Sequence, residues 1–220
     1  MAKLTKRQVN ELVPLLEELY PDAKCALDYD TVFHLLCAVM LSAQTTDVSV
    51  NKVTPVLFAK YPEPADVAGA PLGDLETILR PVGMYKTKAN HLKAMAKVVA
   101  EEYNSNVPHD YGKLVSLPGV GRKTANVVLA EGFGEQRIAV DTHVFRLANR
   151  IGLTEAKDVL ATEEGLMKVI PEPHWTSMHH ALIFHGRRVC AARKPNCESC
   201  GIRALCKRNG LPDDMKGEPQ

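Results

Sequence analysis

The 220 residues carry 27 Lys and Arg against 26 Asp and Glu, a formal net charge of +1, with 45% hydrophobic residues and six cysteines. A chain of this size buries a good core as one large or two small domains, and the near-neutral balance excludes a surface that coats nucleic acid everywhere while leaving room for one basic face. No apolar run approaches the ~20 residues that span a bilayer, and the first residues lack an apolar signal region, so a cytosolic protein with no membrane partner is expected.

Leu4 to Tyr20 has helical spacing in Leu12, Leu15, Leu16 and Leu19, with Pro14 as a kink and Pro21 as a stop. Asp28 to Thr31 offers caps for Val32 to Ala43, whose all-round hydrophobicity marks a buried helix. Cys37 within it reads as a small core residue, and Cys25 is remote in sequence from other thiols. The polar break Leu41 to Asp47 precedes a helix over Val48 to Lys60, with Thr46 or Asp47 at its N-cap and Pro55 inside. Pro62 and Pro64 bound a loop, Leu72 to Leu79 is a short helix, and Arg80 to Ala89 makes a turn before the next helix that leaves Met84 exposed or capping the core. A long helix, Lys86 to Tyr103, carries the stripe Leu92, Met95, Ala96 and Val99, and Tyr111 to Ser116 adds one further turn of helix.

Leu117-Pro118-Gly119-Val120-Gly121-Arg122-Lys123-Thr124-Ala125-Asn126 is a Gly-rich turn running into an apolar helix. Pro118 fixes φ, the two glycines permit positive φ and close approach, and the amides at the helix start face an anion such as phosphate. Lys123 in the first turn opposes the helix dipole, and Arg122 beside it adds like-charge repulsion. The residues alone leave two readings of Lys123 open, a phosphate-binding cation or a nucleophilic amine. After Gly132-Phe133-Gly134, the stretch Val140-Asp141-Thr142-His143 opens another helix, with Asp141 as N-cap. A carboxylate held by amides is suited to stabilise developing positive charge rather than to deliver a proton. Thr154 to Ile170 and Ser177 to Val189 are expected as amphipathic helices. His180 and His185 are five apart and so do not share a face as metal ligands.

Cys190-x6-Cys197-x2-Cys200-x5-Cys206 places four thiolates within seventeen residues, enough to enclose one ion or one cluster. The residues alone leave tetrathiolate zinc and a [4Fe–4S] cluster as equal readings. From Arg187 to Arg208 seven Lys and Arg accompany one acid, which is the basic face that the net charge allows. Leu211 to Gln220 reads as a disordered polar tail.

The hairpin stretch, Val140 to His143 and the cysteine spacing together resemble the helix-hairpin-helix superfamily of DNA glycosylases. Within it they resemble the endonuclease III family, bifunctional enzymes for oxidised pyrimidines, over nearly the whole chain. The resemblance implies an all-α fold of two helical domains flanking a DNA-binding cleft. One is a six-helix domain over 24–135 that bears the hairpin; the other, built from 1–23 and 136–210, carries a C-terminal [4Fe–4S] cluster loop. It implies Lys123 as the Schiff-base nucleophile and Asp141 as the second catalytic residue. Gly119, Val120, Gly121 and Arg122 would hold a DNA phosphate, and His143 joins the DNA-binding candidates. Gln44 would fill the space left by a flipped nucleotide. Met84, where a leucine is commoner, would be the apolar wedge, with Val82 or Gln44 as other candidates. Cys190, Cys197, Cys200 and Cys206 would bind the cluster, and Arg193 and Lys194 in the loop between would meet phosphates.

The expected partner is double-stranded DNA containing damaged pyrimidines or abasic sites, bound by a monomer at the nucleoid. The expected reaction is glycosylase action followed by β-elimination. An adenine mismatch glycosylase of the same superfamily is the alternative, but it has serine or a similar residue in place of Lys123. A non-catalytic iron–sulfur DNA-binding module would leave Lys123 and Asp141 without a joint role.

Overall fold

The computed structural model describes residues 2–212, and every regular element among them is helical. Lys6–Leu19 forms α1, entered through a capping box in which Thr5 Oγ1 accepts from the Gln8 amide at 3.3 Å and Gln8 Oε1 accepts from the Thr5 amide at 3.0 Å. It buries Val9, Leu12, Val13 and Leu16 on one side and leaves Pro14 exposed.

Cys25–Glu135 forms one compact unit. Its centre is α2, Val32–Leu41, in which every residue from Phe33 to Leu41 is buried and Thr31 Oγ1 accepts from the His34 amide at 3.1 Å. Around it come α3 (Asp47–Lys60), α4 (Pro64–Gly69), α5 (Leu72–Leu79), α6 (Tyr85–Glu102), α7 (Tyr111–Ser116) and α8 (Arg122–Phe133). α4 and α5 pack on α6, α7 packs on α8, and α8 lies directly on α2. Gly132 makes that last contact possible, because a Cβ there would stand 2.9 Å from Val32 Cγ1 and 3.3 Å from Leu35 Cδ2. Each leucine fully buried in this packing contributes roughly 1.5–3 kcal/mol. The sequence shows only a Pro-bounded loop where α4 stands, so the unit holds seven helices rather than six. Six residues are too few for a periodic pattern. Pro64 supplies the preset φ of a first helical position, and Asp66 Oδ2 reaches back to the Glu63 amide at 3.0 Å.

Among the described residues, 136–212 form the other unit together with 2–24. It contains α9 (Thr142–Ile151), α10 (Val159–Val169), a single 3₁₀ turn at Glu172–His174 and α11 (Trp175–Arg188). α11 packs on both α1 and α9, enclosing Leu12, Leu16, Leu147, Leu166, Met178 and Leu182. The helix expected from Thr154 begins five residues later, at Val159. Asn149 hooks the intervening backbone, with its Oδ1 accepting from the Ala156 amide at 2.8 Å and its Nδ2 donating to the Ala156 carbonyl at 3.2 Å. Asp158 then caps α10 through the Ala161 amide at 2.8 Å. The expected tail also starts too early. Leu211 is buried and donates its amide to the Arg208 carbonyl at 3.2 Å, while 213–220 lie outside the described residues. Among the described residues no helix is long and apolar enough to cross a membrane.

Candidate functional site

In the turn before α8, Gly119 takes φ +76°, and a Cβ on it would meet His91 Cβ of α6 at 2.8 Å, so this position requires glycine on two grounds. Gly121 departs from expectation. It is extended at φ −98°, serves as the N-cap of α8 and has open space around it, so its lack of a side chain matters for approach from outside rather than for backbone conformation. No side chain caps α8. Arg122 and Lys123 are its first two residues, both exposed, and the Arg122 guanidinium lies 5.5 Å above the Tyr111 ring while donating to the Tyr111 hydroxyl at 3.1 Å.

The surroundings of Lys123 come from distant parts of the sequence. Burial pushes the Cys25 thiol up to about 11; Glu131 and Asp47 add to the rise, and Lys123 opposes it. Burial also raises the Tyr29 hydroxyl, helped by Glu131 and Cys25. Lys123 is therefore within electrostatic reach of the Cys25 thiol, which stays protonated at neutral pH and which the sequence leaves without a site.

Asp141 is the N-cap of α9, its Oδ1 accepting from the Val144 amide at 2.8 Å. His143, two residues further in the same first turn, is half-buried where Gly186 of α11 gives it room: a Cβ at that glycine would stand 2.8 Å from His143 Nδ1. Arg146 Nη2 lies 3.3 Å from the same nitrogen and donates to the Gly186 and Cys190 carbonyls at 3.2 and 2.9 Å. Arg146 thus ties the Asp141 helix to the start of the cysteine loop. Lys123 belongs to the unit of 25–135, and Asp141 to the other.

Gln44 and Met84 are both exposed, and both hold left-handed backbone, at φ +53° and +57°. Lys194 does the same at φ +52°, so among the described residues three of the six non-glycine residues with positive φ coincide with DNA-contact candidates. Such conformations cost of order 1 kcal/mol each and gather at functional sites. Val82 is buried, which removes it as a wedge candidate, whereas Met84 is 54% exposed.

Cys190, Cys197, Cys200 and Cys206 line one cavity with Arg150, His185 and Leu211. All four thiols are free. Burial pushes Cys206 up to about 11 and raises Cys200 as well, and in both cases the neighbouring thiols add to the rise. This is the repulsion that a bound cation would relieve. Arg150 donates to Cys190 Sγ at 3.4 Å and to the Ala191 and Ala192 carbonyls at 2.8 and 3.1 Å, holding the root of the exposed Arg193 and Lys194 loop. His185 Nε2 lies 3.7 Å from Cys200 Sγ and its Nδ1 2.7 Å from the Tyr20 hydroxyl, and burial lowers its pKa to about 4. Among the described residues no three His, Cys, Asp or Glu side chains converge on a single metal ion.

Residues 37–172 match the superfamily described as HhH-GPD base excision DNA repair proteins, and the chain belongs to that family. It is 46% identical to an endonuclease III of Synechocystis sp. over 91% of this chain and 92% of that one. It is 43% identical to an endonuclease III of Escherichia coli over 93% and 97%. Among solved structures, a trapped endonuclease III–DNA covalent intermediate superposes with a TM-score of 0.89 at 45% identity, covering 93% of this chain and 97% of that one.

Proposed function

We infer that this chain is a base-excision-repair glycosylase with an associated AP lyase, that it removes oxidised pyrimidines from duplex DNA, and that Lys123 is its nucleophile. The observation that carries the reading is an exposed lysine in the first turn of a helix that no side chain caps, directly behind a turn whose glycine is required. A cation there opposes the helix dipole, so the position serves chemistry rather than stability. Relatives at 43–46% identity carry the name endonuclease III, and the trapped structure shows that such a protein bonds covalently to DNA.

The target nucleotide must leave the stack, because its C1′ is shielded inside a duplex. The Lys123 amine forms a bond to C1′ as the C1′–N glycosidic bond breaks and the base leaves with the electron pair. Asp141 stabilises the positive charge that develops on the sugar. Ring opening gives an imine, loss of a 2′ proton expels the 3′ phosphate, and the strand is nicked 3′ to the lesion. The amides from Gly119 to Arg122 hold a backbone phosphate, with His143 a further contact and Gln44 and Met84 entering the duplex where the nucleotide has left. One lysine serves one flipped nucleotide, so a monomer acting on nucleoid DNA in the cytoplasm is the functional unit.

The four cysteines fit a [4Fe–4S] cluster: they ring one cavity, and the neighbouring thiols raise Cys200 and Cys206 against ionisation, a repulsion that bound iron would relieve. Closed by four thiolates, the cluster supplies a structural cross-link. Arg193 and Lys194, on the loop between its first two ligands, meet phosphates.

Thymine-glycol duplex DNA tests the reading. The purified protein should release the base and leave a nick. Release without nicking would remove the lyase step and with it the imine at Lys123, and neither product would reject the assignment.

A further inference from the structure

The most unusual lysine in the unit of 25–135 is Lys88, on α6, which is only 5% exposed although lysine is rarely buried without a partner. Its Nζ donates to Thr45 Oγ1 at 2.6 Å, and its backbone amide donates to the Met84 carbonyl at 3.0 Å. Thr45 adjoins Gln44. One residue therefore reaches both exposed left-handed tips, Gln44 through its neighbour's hydroxyl and Met84 through the first turn of α6. The two loops also touch. A Cβ on Gly83 would lie 3.8 Å from Thr45 Oγ1 and 3.9 Å from the Gln44 carbonyl oxygen.

A methionine would fill the same space without the cost of desolvating an ammonium, so packing does not account for a lysine. Desolvation also lowers the pKa of Lys88, as expected of an ammonium held under the loops rather than in water. Both tips are strained conformations that the surrounding structure must over-determine, and a charge-assisted hydrogen bond between their supports does so.

We propose that Lys88 is a positioning residue that braces Gln44 and Met84 into one insertion element, so that plug and wedge enter the duplex at the same lesion rather than independently. This rests on the reading of Gln44 and Met84 as the residues that enter DNA. The brace matters only where stacking must be broken, so its signature is selective for paired DNA.

The test is single-turnover excision from a fully paired duplex and from a mismatched bubble carrying the same lesion, in Lys88→Met, Thr45→Val, Thr45→Ser, Gln44→Ala and Met84→Ala. Lys88→Met and Thr45→Val should each lower the paired-to-bubble rate ratio by about tenfold, ~1.4 kcal/mol in barrier. Thr45→Ser keeps the acceptor and should keep the ratio. Lys88→Met should unfold at the same or a higher temperature than wild type, an outcome opposite to that of a structural lysine. Added to Gln44→Ala/Met84→Ala it should change the ratio by less than about twofold, because the residues act as one unit. If Gln44→Ala and Met84→Ala collapse the ratio while Lys88→Met and Thr45→Val leave it intact, the brace is wrong and the insertion reading stands. If the two tip variants do not change the ratio, the insertion reading falls and the brace with it. Should Lys88→Met fail to fold, Thr45→Val alone decides.

Discussion

Gly119→Ala is the perturbation whose magnitude the structure defines most fully. The left-handed backbone at φ +76° costs an alanine about 1–2 kcal/mol. The new Cβ would stand 2.8 Å from His91 Cβ, 3.0 Å from its Cγ and 3.1 Å from Nδ1, an overpacking worth about 1–3 kcal/mol. Because the closest atom is a Cβ fixed to α6, ring rotation does not relieve the contact, and a total of about 2–5 kcal/mol is expected. His91→Ala in the same chain removes the ring contacts but neither the Cβ contact nor the φ strain, so it should recover no more than ~1 kcal/mol. Gly121→Ala is the control. Its φ of −98° and open surroundings predict a change within about 0.5 kcal/mol of zero, with weakened DNA binding because the methyl group obstructs the phosphate's approach. Urea denaturation followed by far-ultraviolet circular dichroism measures all three. Equal stability of the Gly119 and Gly121 variants would refute the geometry assigned to this turn.

Other outcomes follow from the same residues. Asp141→Asn keeps a good N-cap and should leave stability within ~0.5 kcal/mol, while turnover falls by more than about tenfold for want of the charge; undiminished turnover would leave Asp141 as a cap alone. Replacing Arg193 and Lys194 together by alanine should weaken lesion and undamaged DNA alike and reduce the log–log salt slope by about 1.8, at ~0.9 per phosphate contact. An unchanged slope would separate the loop from the backbone. Protein prepared anaerobically should be yellow-brown with about four irons per chain, and one zinc without iron would contradict the cluster.

Local signals in the sequence give much of the fold. Leu72–Leu79 and Tyr111–Ser116 are helices with the bounds that their flanking residues indicate, and Thr46 and Asp141 cap α3 and α9 as their side-chain chemistry directs. What escapes depends on contacts distant in sequence. The Asn149 hook delays α10, Leu211 is drawn against the cysteine cavity, and α4 is too short to show a period. The candidate site divides in the same way. The Gly-rich turn, Asp141 and the four cysteines are contiguous patterns. Cys25 near Lys123, Arg146 and Arg150 under the cysteine loop, and Lys88 beneath two loops become visible only when helices far apart in the chain pack together.

The covalent bond at Lys123 is the central claim, and borohydride trapping tests it most directly. Incubated with lesion-bearing duplex and sodium borohydride, the wild-type chain should form a stable protein–DNA adduct, because only an amine gives a reducible imine. Peptide mass analysis should locate that adduct on Lys123. Lys123→Ala should bind the same DNA and yield no adduct. An adduct at wild-type yield in that variant, or one mapped to another lysine, would contradict the account.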